Sequence, residues 1–182
     1  FVNGFYNAIN NYIFISPTGA MEQTNFVYEY TQENANLYGG EIGLHLHPHP
    51  LDWLHTNSSF EYVVGKQKNG NYLPLIPANK FTNTIRTEFD VNRRFKNNFA
   101  SITVESFFKQ NKVSAFETET PGYSILNFGL GTTINIASAN FTLNFNLNNA
   151  LNKSYISHLS RLKVDAIPNI GRNFVTSVKF KL

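Results

Sequence analysis

Gly171-Arg172-Asn173-Phe174-Val175-Thr176-Ser177-Val178-Lys179-Phe180-Lys181-Leu182 is the stretch on which the reading of the fold depends. Its even positions Phe174, Val178, Phe180 and Leu182 are apolar, and its odd positions Asn173, Ser177, Lys179 and Lys181 are polar. A period of two is that of a strand, whose successive side chains point to opposite faces. About ten residues suffice for a tilted strand to cross an outer membrane, with one face toward lipid and the other toward a polar lumen.

The same alternation recurs upstream. It is cleanest in Phe141, Leu143, Phe145 and Leu147, set against Thr142, Asn144, Asn146 and Asn148. Strands are predicted over residues 1–15, 25–47, 53–64, 80–91, 99–109, 123–136 and 141–148, with the closing stretch as the eighth. In the first, Phe1, Phe5, Ile9, Ile13 and Ile15 recur among asparagines, and Pro17-Thr18-Gly19 ends it. In the second, Tyr38, Ile42, Leu44 and Leu46 oppose Gly39, Glu41, Gly43, His45 and His47. In the fourth, Phe81, Ile85, Phe89 and Val91 oppose Arg86, Glu88 and Asp90. Connections are short after the second, fourth and sixth strands and longer after the odd ones. Outer-membrane barrels have short periplasmic turns and long extracellular loops, so the C-terminus falls on the periplasmic side. Within the last long loop, Leu151, Tyr155, Leu159 and Leu162 have near-helical spacing, and a short helix is predicted there.

Composition agrees with an all-β reading. Phe and Tyr number 17 and 9, and aromatic residues make up 15% of the chain, which suits sheets. No run approaches the roughly 18 apolar residues of a membrane-spanning helix, so any crossing is made by strands. The mean hydropathy of −0.26 fits a wall that is half polar. Absence of cysteine removes disulfides and thiolate sites. The net charge of +3 is scattered rather than gathered in a stripe, which argues against nucleic acid as a partner. The chain starts at Phe1 rather than at a methionine, so it is read as processed or as a piece of something longer.

Four segments carry a family resemblance. They are Asn36-Leu37-Tyr38-Gly39-Gly40-Glu41, Pro74-Leu75-Ile76-Pro77-Ala78, Asn149-Ala150-Leu151-Asn152-Lys153-Ser154-Tyr155 and Gly171-Arg172-Asn173-Phe174. In this order they resemble the C-terminal third of TonB-dependent outer-membrane receptors. Gln110-Asn111-Lys112, the run Phe116 to Tyr123, Leu126-Asn127 and His158 are similar to the zinc-uptake branch. The resemblance implies an antiparallel transmembrane β-barrel in which residues 1–182 supply about the last eight strands of a 22-stranded, plugged barrel. It also implies a Gram-negative outer membrane, a plug domain, the TonB complex reached through that plug, and a transported metal or chelate without a resident cofactor. Zinc is favoured as cargo, an iron chelate or haem next. The chain departs from the pattern in ending on Leu182 rather than an aromatic residue. The alternative, from another class, is a complete eight-stranded barrel with a structural or adhesive role.

Two groups of residues are candidate metal ligands. Oxygen and imidazole donors on the long loops, Glu117, Glu119, His158 and Asp165, have the chemistry to capture zinc, although charged loop residues are also commonly just solvated. On the inward face, His45, His47 and His55 lie near a short turn. If that hairpin is centred near Pro50, His45 stands opposite His55, close enough for two imidazoles to share a metal; packing against a plug is the bland alternative. Glu41, Glu61, Arg86, Glu88, Asp90 and Glu105 are read as a charged wall. No nucleophile, base and orienting group assemble into an enzyme site; adjacent Ser157 and His158 do not make a triad.

Overall fold

A computed structural model describes residues 1–136 and 139–181. Eight strands follow one another: β1 (Val2–Glu22), β2 (Asn25–Leu46), β3 (Leu54–Gln67), β4 (Lys80–Phe89), β5 (Phe95–Phe107), β6 (Tyr123–Ile136), β7 (Ala139–Asn148) and β8 (Asn173–Lys181). They form one antiparallel meander in sequence order, with β1 and β8 at its two edges. Among the described residues β1 and β8 do not pair, so these strands form an open sheet and not the self-closed eight-stranded barrel raised as the alternative by the sequence. Of the closing residues, Leu182 lies outside the described part.

The alternation separates two faces. In register across five strands run Ile85 on β4, Ile102 on β5, Phe128 on β6, Leu147 on β7 and Phe174 on β8. Cross-strand packing within such a row, as between Phe141 and Phe180 at 4.9 Å, stabilises the sheet by up to about 1 kcal/mol per pair. Yet Ile102 and Phe174 stay 46% and 65% exposed. A continuous apolar face of this extent is the surface that lipid covers. The opposite face carries the next register row, Arg86, Ser101, Gly129 and Asn146, and is polar.

The first strand differs from its sequence reading. Phe1, Phe5 and Ile9 share the polar face, because Phe5 pairs with Gly39 and Ile9 with Ala35. A register shift between Ile9 and Tyr12, with Asn11 at φ 57°, then moves Ile13 and Ile15 to the apolar face. An inserted residue reverses which side every later side chain occupies. Glycines make the inward phenylalanines possible: a Cβ on Gly43 would lie 2.2 Å from the Phe1 ring. Nor does Pro17 end the strand, which runs on to Glu22. An edge strand tolerates a residue without an N–H.

At the loop end the inner face has its own small core. Leu73 and Ile76, carried by the loop after β3, pack with Ala35 against Tyr12, Phe14, Leu37 and Val63. The loop after β7 holds a single 3₁₀ turn at Arg161–Lys163 instead of the predicted helix. Its start is shaped by Asn149, which accepts from the Lys153 N–H at 2.8 Å and donates to the Lys153 carbonyl at 2.8 Å. With Asn149 and Asn152 in left-handed conformation, the backbone turns away from a helix.

Candidate functional site

Three loops interlock above the inner face. Glu117 is the fastener between two of them: its Oε1 accepts from the Leu75 N–H at 2.8 Å, and its Oε2 accepts from the N–H and Oγ of Ser114. Gln110 donates to the carbonyls of Ile76 and Pro77, both at 2.9 Å. His158, from the loop after β7, inserts beside them with its side chain only 2% exposed. Its Nδ1 lies 2.8 Å from Thr120 Oγ1 and 3.2 Å from Lys163 Nζ, and Lys163 Nζ also donates to the Thr118 carbonyl.

An ammonium only donates, so the Lys163 contact makes Nδ1 the acceptor and leaves the ring proton on Nε2. That nitrogen is buried without a hydrogen-bond partner, 3.7 Å from Glu117 Oε1 and beyond hydrogen-bond reach. Burial holds the imidazole below its ordinary pKa, helped by Lys163 and opposed by Glu117. Burial likewise lowers Lys163, and again Glu117 opposes it. Of the four loop candidates, the fold therefore joins His158 and Glu117. Glu119 instead pairs with Lys109, and Asp165 stands exposed on the loop. Lys163 and Thr120 were not singled out from sequence, since nothing in their spacing marks them.

The second group lies at the opposite end of the inner face. His45 pairs in register with Asn57, so His45 and His55 are diagonal neighbours rather than directly opposed, a correction of one pair step. The diagonal is still within reach: His45 Nε2 is 3.4 Å from His55 Nδ1. His47 stacks on His55 with ring centroids 4.3 Å apart and planes 18° apart, and its Nε2 is 2.6 Å from the Asp52 carbonyl oxygen. On its other side, His55 Nε2 lies 3.9 Å from Glu88 Oε2. Arg86 donates to Glu88 Oε1 at 2.6 Å and lies 3.7 Å from the centre of the Phe99 ring.

Five of the six residues read as a charged wall, Glu41, Glu61, Arg86, Glu88 and Glu105, lie on strands β2 to β5. Lys80 pairs with Glu61 at 3.0 Å, Asn127 donates to Glu105 at 2.9 Å, and Glu41 is in register with Glu61. Asp90 lies beyond the end of β4. There its carboxylate accepts from the Asn97 N–H at 2.8 Å and pairs with Lys96; these interactions, the backbone one first, lower its pKa. It shapes a turn instead of lining the lumen. Among the described residues no three His, Asp or Glu side chains are arranged to hold one metal ion.

A model of the family described as "TonB dependent receptor-like, beta-barrel" matches residues 1–150. The chain belongs to that family. Family membership places this wall in the outer membrane of Gram-negative bacteria, in keeping with the exposed apolar row. Among solved structures, the fold is similar to that of a chain titled "Copper transporter OprC", with a TM-score of 0.74 at 20% identity over 96% of this chain. This chain spans 27% of the length of that one. At such identity the likeness is one of fold. The TonB-dependent receptor family fixes the architecture, and the cargo has to be argued from residues.

Proposed function

We propose that this chain is the C-terminal part of the wall of a TonB-dependent importer that carries a metal ion or metal complex inward, zinc first, an iron chelate or haem next. The receptor is a transporter rather than an enzyme. Its partners in this reading are outer-membrane lipid, its own N-terminal plug, the TonB complex engaged through that plug, and the cargo. The observation that carries the metal reading is the unpartnered Nε2 of His158, buried 3.7 Å from the Glu117 carboxylate within interlocked loops.

For that nitrogen to take a metal it has to lose its proton. Thr120 supplies the means, since its hydroxyl accepts as readily as it donates. A proton moved to Nδ1 is then donated to Thr120 Oγ1, provided Lys163 withdraws to its Thr118 contact. Capture, proton movement and loosening of the loops are one event in this scheme. Glu119 and Asp165 stay in reserve as outer ligands, reached only if the loops rearrange. The charged wall of Glu41, Glu61, Arg86, Glu88 and Glu105 keeps the inner surface hydrated, so that a plug slides rather than adheres.

The test is uptake of radioactive zinc by cells expressing the intact receptor, with iron chelate and haem run in parallel, and zinc binding by the purified receptor. Energised zinc uptake together with weaker zinc binding by His158→Ala supports the reading. Uptake of haem or an iron chelate alone removes zinc as cargo, and unchanged zinc affinity in His158→Ala removes that residue.

A further inference from the structure

At the short-turn end of the inner face, away from the loops, the structure offers a second place for a transition-metal ion. Two ligands at the roughly 2.0–2.1 Å zinc–nitrogen distance in tetrahedral geometry lie about 3.3 Å apart. His45 Nε2 and His55 Nδ1 are 3.4 Å apart. They come from adjacent strands of a paired hairpin, so ladder hydrogen bonds rather than a mobile loop hold their spacing.

Behind His55 stands the Glu88 carboxylate, its Oε2 3.9 Å from His55 Nε2. With an ion on Nδ1 the ring proton of a neutral His55 sits on Nε2, on the side of that carboxylate. A metal-bound histidine ordinarily has such a carboxylate behind it, fixing ring and tautomer. Glu88 is itself fixed by Arg86, and Arg86 by the Phe99 ring. His47 does not belong to the donor pair: its ring lies face to face with His55, so their in-plane lone pairs run alongside each other instead of converging.

We infer that His45 and His55 form a two-imidazole site for zinc or a similar borderline-soft divalent ion on the inner wall at the periplasmic end, with Glu88 as the positioning residue of His55. Water or a ligand from outside this sheet completes the coordination. The side chain of His55 is 20% exposed and His45 is open, so an ion in the lumen reaches both. The site rests on the importer reading for its purpose, as a station on the way out of the lumen, but not for its existence.

The test uses the intact receptor in detergent, titrated with Zn²⁺ by calorimetry and with Co²⁺ by visible absorption. Loss of one bound equivalent in His45→Ala and in His55→Ala, its retention in His47→Ala, and about tenfold weaker binding in Glu88→Gln are expected. Identical stoichiometry and affinity in wild type, His45→Ala and His55→Ala would overturn the assignment and mark the pair as a hydrogen bond only. Loss of the same equivalent in His47→Ala would overturn it as well. Failure of cells to import any metal, with the bound equivalent still present, counts against the importer and leaves this site standing.

Discussion

Lys163 Nζ lies 3.2 Å from Nδ1 of His158, and the pair sets a half-buried cation against a ring that has to stay neutral. Protonation of His158 would place two positive charges side by side, with only the Glu117 carboxylate to offset them. The folded state therefore favours the neutral imidazole, in line with its lowered pKa. The stabilisation is complete above the ordinary value of 6.5. It is lost as pH falls below that value toward the lower folded pKa, because there the unfolded loop binds a proton that the folded loop refuses. Hydrogen-exchange protection factors of residues 110–121 and 155–165, taken relative to the intrinsic rate at each pH, should fall on acidification from pH 7.5 to 5.5 in the wild type and change less in His158→Asn. An equal fall in both would detach the loop from His158.

The same contact makes Lys163 an obstacle to metal capture. Replacing it by methionine keeps most of the side-chain bulk and removes the charge. Zinc affinity at the loop site should then rise at least about fivefold, corresponding to the roughly 1 kcal/mol between unit charges about 4 Å apart in water. Calorimetry on Lys163→Met in the background of His45→Ala isolates the loop site. A fall in affinity would show that Lys163 organises the site rather than guarding it.

Gly131 faces Phe99 across the β5–β6 pair, and a Cβ at this glycine would lie 2.1 Å from the ring. The ring in turn is covered by the Arg86 guanidinium. Gly131→Ala should push Phe99 off its place and disturb Arg86 and Glu88 behind it, at a cost of about 1–3 kcal/mol. Denaturant unfolding of the intact receptor reads the loss. The smaller Gly131→Ala, Phe99→Leu double variant should recover part of it if the clash with the ring is the cause.

How much of this was legible in the sequence follows from what period-two patterns record. They report which residues alternate, and so the Tyr123–Ile136 strand was read to its ends. They do not report a bulge, and the one between Ile9 and Tyr12 undid the reading of the first strand. Register has the same limit: His45 and His55 share one face, as the alternation says, but stand one pair step away from direct opposition. Loop sites are less legible again. His158 and Glu117 meet through backbone turns set by Asn149 and Asn169, whose side chains bond Lys153 and Ser157. No spacing rule announces those bonds.

Ser177 and Val178 are chain neighbours at the middle of β8 with opposite surroundings. Ser177 is in register with Asn144 on the polar face, and Val178 with Leu143 on the apolar one. Val178 is 64% exposed, which in water would be an unfavourable surface and in lipid is the expected one. Arginine at Val178 should destabilise the intact receptor by about 2–4 kcal/mol, as charges do near the middle of an outer-membrane barrel. At Ser177 it reaches hydrated lumen, and the change should stay within about 0.5 kcal/mol. Urea titrations of both variants refolded into phospholipid vesicles, followed by tryptophan fluorescence, separate the two positions. Equal costs would mean that β8 does not present these two faces to lipid and water, and that the apolar row from Ile85 to Phe174 packs against protein instead.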